Sequence, residues 1–377
     1  MPDRFDVIIA GGGVIGASIA WKLARAWKLA RTWKLARDNR RVLLLDAAKI
    51  GAEASSAAAG MLAPGGEFDD PALLEFAIRS LAKYDDFVSA LQADSGLPIE
   101  FRRLGAVQIA FTRAELESLA ARAASQRAAG ISTAVLNADQ LRELAPLVTR
   151  DAAGAVHYTN EAIVDPAALM RALRAACLAR GVSILEESRV SSISATSAGV
   201  RVSLANAAPD APTEAPFAVL AVGAWSSEMQ LFIDGQPCTL PRSFPVKGHL
   251  LGYRLPAGSL PLTIRHDHTY VIQRADGFTI AGSSTEDAGF NRTIDAQIVS
   301  DISARASALV PALASLTPES AWIGFRPATD SAAPRIGRVQ SSRLWLAYGH
   351  YRNGILLAPA TCDQVCREIV GEIVGRL

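Results

Sequence analysis

Residues 5–10 form an apolar run broken only by Asp6, and three glycines follow at once. A helical stretch then leads to a second apolar run at residues 41–45. Short apolar runs bounded by glycine read as buried strands, so the chain opens as a βαβ unit. Asp69 and Asp70 precede Pro71, and apolar residues then recur at helical spacing from Leu73 to Leu91, which predicts a capped helix with proline in its first turn. Asp165 and Pro166 repeat that signature, opening a helix that Gly181 closes. Runs at residues 106–111, 244–253 and 278–281 predict a separate, mostly antiparallel sheet. Residues 206–216 are polar and carry prolines, but apolar runs resume on both sides, so they predict a turn and not a linker. Residues 354–377 are helical in pattern and are expected to return to the first domain. The fold class is α/β (α+β). A Rossmann-like domain is expected from residues 4–85, 150–225 and 325–377, and a mostly antiparallel-sheet domain from residues 86–149 and 226–324.

The first helix carries a tandem repeat, WKLARA, WKLART and WKLARD, over residues 21–38. Six residues advance a helix by about 600°, so Trp21, Trp27 and Trp33 would point in directions roughly 120° apart. No single face could bury all three. A dinucleotide fold places an acid about 20 residues after its glycines, whereas Asp46 lies 30 residues beyond Gly16. Removing two copies of the repeat would leave 18, so a tandem duplication in a tolerant helix end is the economical reading. Two extra helical copies add ~18 Å, which residues 38–40 can barely span. A protrusion or a looped-out segment is therefore expected in the second and third copies. Lys22, Arg25, Lys28, Arg31, Lys34 and Arg37 read as solvated charges.

With 377 residues, half of them hydrophobic, the chain can bury a large core, and its length favours two domains. Lys and Arg number 38 against 37 Asp and Glu, a balance that selects neither nucleic acid nor an anionic membrane surface. Cys177, Cys238, Cys362 and Cys366 form no CxxC or Cys/His cluster, which argues against a disulfide framework and a metal site. No apolar run is long enough to span a bilayer, and Asp3, Asp6 and the early glycines are unlike a signal peptide. A cytoplasmic enzyme, with homo-oligomerisation open, is the expectation.

Gly11, Gly13 and Gly16 have GxGxxG spacing, which gives a tight turn, close backbone approach to a pyrophosphate and close helix–strand packing. The following helix offers free N–H groups to phosphate. With Asp46 ending the second strand, this is a dinucleotide site for NAD or FAD. Residues 55–62, SSAAAGML, are a run of small side chains against which an extended cofactor could lie, although a tight-packed helix start would look the same.

GGGVIG at 11–16 followed by SSAAAGML resembles the D-amino-acid oxidase superfamily of flavoproteins, and within it the glycine oxidases of thiamine biosynthesis. PVKGHL at 245–250, HDHTYVI at 266–272, GFRPAT at 324–329 and GHYRNGILLAPAT at 349–361 extend the resemblance over nearly the whole chain. It implies FAD as cofactor, an FAD-binding first domain and a substrate-binding second one. By resemblance, Gly11, Gly13, Val14, Ile15, Gly16, Asp46, Ser55, Ser56, Ala59, Gly60 and Met61 fall to the cofactor. So do Val190 and Gly223 on the adenosine side, and Arg352, Asn353, Gly354, Ile355 and Leu356 beside the flavin. A helix starting near Gly354 would aim its positive end at an anionic reduced flavin.

The same resemblance implies a substrate set of Tyr270, Arg326 and Arg352, with Met61 and His268 nearby. A guanidinium offers paired donors to an amino acid carboxylate, and a tyrosine adds a hydroxyl. Arg265, directly before HDH, stands where a relative is expected to carry an aromatic residue. The implied reaction is oxidation of glycine or another small amine by hydride transfer to the flavin, giving glyoxylate or a keto acid, ammonia and, with dioxygen, hydrogen peroxide. No side chain is required as a general base if the amine enters neutral. Sarcosine or D-amino acid oxidation, a dehydrogenase and, more remotely, an NAD(P)-dependent dehydrogenase are the alternatives.

Overall fold

The computed structural model describes residues 5–32, 41–68, 70–205 and 213–374. Val7–Ala10 and Val42–Leu45 are buried at every position. They are neighbours in a six-stranded sheet whose order is Arg335–Arg338, Leu344–Tyr348, Phe217–Leu220, Val7–Ala10, Val42–Leu45, Ser183–Leu185. Every adjacent pair is parallel except at the Arg335–Arg338 edge. Continuous apolar runs suit parallel strands because both faces are covered. Val7 and Ile9 join a core with Ile19, Leu23, Leu173 and Leu357 from three helices. Ile8 and Ala10 face the opposite way, onto Val190, Ile193 and Val202 of a separate five-stranded sheet. The two-residue strand period thus feeds two cores from one segment.

The helix Val14–Thr32 passes unbroken through the first two copies of the repeat. Trp21 is buried and donates its indole N–H to Asp94 at 2.8 Å, while Trp27 is half-buried at the core margin. The second copy is helical, the form in which added copies lengthen the helix. Trp33, the third copy and the expected protrusion lie outside the described residues.

The helical stretch expected between Leu73 and Leu91 is two helices, Pro71–Ala82 and Tyr84–Ser95. At the break the Lys83 N–H bonds to the Ser80 carbonyl, a tightened turn. It sets Lys83 against Asp363 (2.6 Å) and the Tyr84 hydroxyl against the Ile355 carbonyl (2.5 Å), both on the C-terminal helix Gly354–Val374. Asp70 caps the first of these helices through the Leu73 N–H, and Asp69 lies outside the described residues. Asp165 caps Pro166–Ala179 in the same way, as expected.

The second large sheet has eight strands in the order Ser320–Thr329, Ser243–Arg254, Phe278–Gly282, Thr269–Gln273, Thr263–His266, Ala106–Ala110, Gly154–Tyr158, Thr133–Asn137. All adjacent pairs are antiparallel apart from Thr263–His266 with Ala106–Ala110. Its own core joins Leu251, Tyr253, Ile264 and Val271 to Ile302 and Leu309 of the helix Ala296–Leu309. Val200–Leu204 and Thr213–Ala215 pair antiparallel; the turn expected at residues 206–216 falls largely on residues 206–212, which lie outside the described residues.

Candidate active site

A cleft of about 660 Å³ opens where the parallel strands end. Gly11, Asp46, Ala221 and Gly349 follow directly on strands of the six-stranded sheet and all line it. The carboxyl ends of parallel strands are where an open α/β sheet leaves room for a ligand. Tyr270, Arg326 and Gly248 bring the eight-stranded sheet to the same cleft.

Gly11 has φ of +105°, and a Cβ there would stand 2.3 Å from the Ala221 carbonyl oxygen. The turn is therefore closed to any other residue. Gly13 and Val14 face the cleft; Gly16 lies behind the turn, where a Cβ would meet the Gly11 oxygen at 1.8 Å. Ser55 Oγ accepts from the Val14 N–H at 2.9 Å. Asp46 accepts from the N–H groups of Gly12 (2.6 Å) and Ala48 (2.8 Å). Burial raises its carboxyl above the ordinary range, against the pull of those two bonds.

Ile15, Ser55, Ala59, Gly60, Met61, Val190, Gly223, Asn353, Gly354 and Ile355 also line the cleft. Ser56 is exposed and outside it, and Leu356 is buried beneath the helix start, so neither side chain reaches the space where the sequence reading put them. The wall from Ala57 to Gly60 carries no side chain larger than a methyl group.

At the far end, Arg326 donates from Nη1 to the Ser284 carbonyl and from Nη2 to Ser283 Oγ, both at 2.9 Å. Its guanidinium lies over Gly248 on the neighbouring strand, where a Cβ would stand 2.2 Å from Nη1. Burial pulls its pKa below the ordinary value. Burial pushes the Tyr270 hydroxyl up, with Arg326 and Arg352 pulling the other way, so it stays a protonated donor at neutral pH. Arg352, on the turn Tyr351–Asn353, donates from Nη2 to Glu67 Oε1 at 3.3 Å. Tyr270, Arg326, Arg352 and Met61 thus line one cleft. His268 does not: it is exposed in the turn between Thr263–His266 and Thr269–Gln273, outside the lining.

Sequence reasoning missed Glu67, Ser283 and Arg292. Glu67 ends the four-residue helix Pro64–Glu67, too short to leave a periodic signal. Arg292 lines the cleft, pairs with Glu53 at 2.6 Å and lies 5.2 Å from the centre of the Phe325 ring. Arg265 turns away from solvent to a buried pair with Glu161.

A profile described as "DAO: FAD dependent oxidoreductase" matches residues 6–367. Glycine oxidase of Bacillus licheniformis is 32% identical over 378 residues, which cover 99% of this chain and 95% of that protein. The bifunctional protein ThiO/ThiG of Synechocystis sp. is 31% identical over 383 residues, with 100% of this chain but 53% of that protein covered. Among solved structures, glycine oxidase from Bacillus cereus superposes with a TM-score of 0.86 at 28% identity, covering 98% of this chain and 96% of that one.

Proposed function

Because the chain belongs to the DAO family of FAD-dependent oxidoreductases and is an enzyme of amine oxidation, we propose that its substrate is glycine, converted to glyoxylate and ammonia. The family supports FAD over NAD(P), a choice that the glycine pattern left open. The residues fit an extended dinucleotide: Gly11 and Gly13 allow close backbone approach, and Ala57 to Gly60 form a wall without bulk. The cleft volume falls in the range of roughly 300–1,000 Å³ usual for small-molecule sites. Gly11, Gly13, Val14, Asp46 and Ser55 would hold the phosphate and ribose end, Val190 and Gly223 the adenosine side, and residues 352–355 the flavin end.

Held by these residues, FAD would supply a two-electron acceptor for the hydride leaving the substrate Cα, with dioxygen as the final oxidant and hydrogen peroxide as its product. The chain's own residues bind and orient. Arg352 and Arg326 converge on one end of the cleft, which supports a carboxylate clamp, and Tyr270 contributes a hydroxyl donor. Ser283 and Ser284 fix the Arg326 fork, so its direction is set before substrate arrives. Substrate enters with a neutral amine, so no side chain is assigned as a base. The imine product hydrolyses to glyoxylate and ammonia.

Proximity of two guanidinium groups and a buried tyrosine hydroxyl in the lining of one cleft carries the reading. Four unpaired thiols accord with a reducing cytoplasmic setting. Its test is kcat/KM for glycine, sarcosine and D-alanine with glyoxylate quantified. Preference for glycine with one glyoxylate per turnover is expected; preference for sarcosine or D-alanine would move the assignment within the family.

A further inference from the structure

Glu161 and Arg265 are used by none of these steps, yet they are the most deeply buried ion pair near the cleft, 3% and 7% exposed. Arg265 donates from Nη1 to Glu161 Oε2 at 2.7 Å and from Nη2 to Oε1 at 3.1 Å, a bidentate pairing. The guanidinium carbon lies 4.6 Å from the centre of the Tyr158 ring. A Cβ on Gly66 would stand 2.7 Å from that same carbon, so the guanidinium rests directly against the backbone one residue before Glu67.

The turn that carries Glu67 is fitted closely to this support. A Cβ on Gly65 would stand 2.5 Å from the Tyr158 ring, and Gln126 Nε2 donates to the Gly65 carbonyl at 2.5 Å. From there Glu67 reaches Arg352 in the cleft. Two ion pairs therefore lie one behind the other, Glu161–Arg265 in the interior and Glu67–Arg352 at the site, and the charges of Arg265 and Glu67 act on each other through space. A guanidinium is always charged. Burial opposes the Arg265 charge, but Glu161 foremost, with Tyr158 and Glu67, holds its pKa above the ordinary value.

Glu67 competes with any carboxylate that Arg352 would bind. A positive group behind Glu67 draws part of that negative charge away from Arg352, and the charge acts through a poorly screened interior. We propose that Arg265, fixed by Glu161 and resting against the backbone of Gly66, is a positioning residue for substrate affinity: its charge offsets part of the Glu67 charge and so leaves Arg352 available to a substrate carboxylate. This rests on Arg352 being a carboxylate ligand.

The test uses the FAD-loaded protein with acetate as probe, read as perturbation of the flavin absorption, alongside thermal melting. In Glu161→Leu/Arg265→Met the pair becomes two apolar side chains, a change that leaves many proteins as stable as before. Acetate is expected to bind about fivefold more weakly to that variant, ~1 kcal/mol, with melting near that of the unaltered protein. Unchanged acetate affinity would overturn the proposal, because a merely structural pair is replaced without effect on binding. Should the double variant not fold, Arg265→Lys and Arg265→Gln decide. Affinity kept by lysine and lost by glutamine supports the role of charge, and equal affinity in the two contradicts it. Arg352→Ala is measured in parallel: if it binds acetate normally, the carboxylate reading itself fails, whereas weak binding there with lysine and glutamine equal sinks only the role of Arg265.

Discussion

Arg352 Nη2 donates to Glu67 Oε1 at 3.3 Å, with both side chains less than one-fifth exposed. The residue read as the carboxylate ligand therefore already has a carboxylate partner. Glu67→Gln keeps an acceptor at that position and removes its charge. Partly exposed ion pairs are worth up to about 1 kcal/mol, so acetate should bind roughly threefold more tightly to this variant. Weaker binding in a spectroscopic titration would mean that Glu67 orients Arg352 more than it competes for it.

Arg326 is anchored on Ser283 and Ser284 before any substrate arrives. Hydrogen bonds to a charged group are worth about 1.5–3 kcal/mol. Arg326→Ala should therefore raise KM for glycine by roughly 10- to 100-fold, and Arg352→Ala likewise. Steady-state kinetics with the flavin content of each variant checked by absorbance decides this. Full activity at low glycine in either variant would remove that arginine from the clamp.

Gly13 borders the cleft, and a Cβ on it would meet Ser55 Oγ at 3.1 Å. A longer side chain would project into the space assigned to the cofactor. Gly13→Leu is expected to yield folded protein, by circular dichroism, that carries little FAD. Flavin content equal to that of the unaltered protein would show that the cofactor does not approach this turn.

His350 is fully buried beside the cleft, with Nε2 3.0 Å from Thr361 Oγ1. Burial depresses its pKa to about 3, against about 6.5 in an unfolded chain. The unfolded state therefore binds a proton that the folded state refuses. Stability from this group is complete above about pH 6.5 and is lost as pH falls towards 3. Urea midpoints from pH 7.5 to 4 should fall more steeply for the unaltered protein than for His350→Gln. Parallel curves would place the acid sensitivity elsewhere.

Much of the parallel sheet was legible because strand and turn are local. Residues 5–10, the glycines and Asp46 announce a parallel sheet with a ligand at its end, and the cleft is lined by Gly11, Gly13 and Asp46. Arg326 and Arg352 were reachable only through the resemblance, since a lone arginine carries no signature. His268 shares parity with Tyr270, but the chain turns at Asp267, with φ of +46°, and the strand starts at Thr269. The period-two rule has no hold on a residue in a turn. Glu161 and Arg265 are 104 positions apart, and no local pattern foretells that contact.

On the proposed reading, this cleft holds FAD and delivers glycine to it. The most direct measurement is to add glycine to the purified, oxygen-free protein while following the flavin's visible absorption, then admit air and assay peroxide. Bleaching by glycine, with colour and peroxide returning on aeration, is the result expected. A flavin that glycine leaves fully oxidised, and that sarcosine and D-alanine also fail to bleach, would contradict the claim.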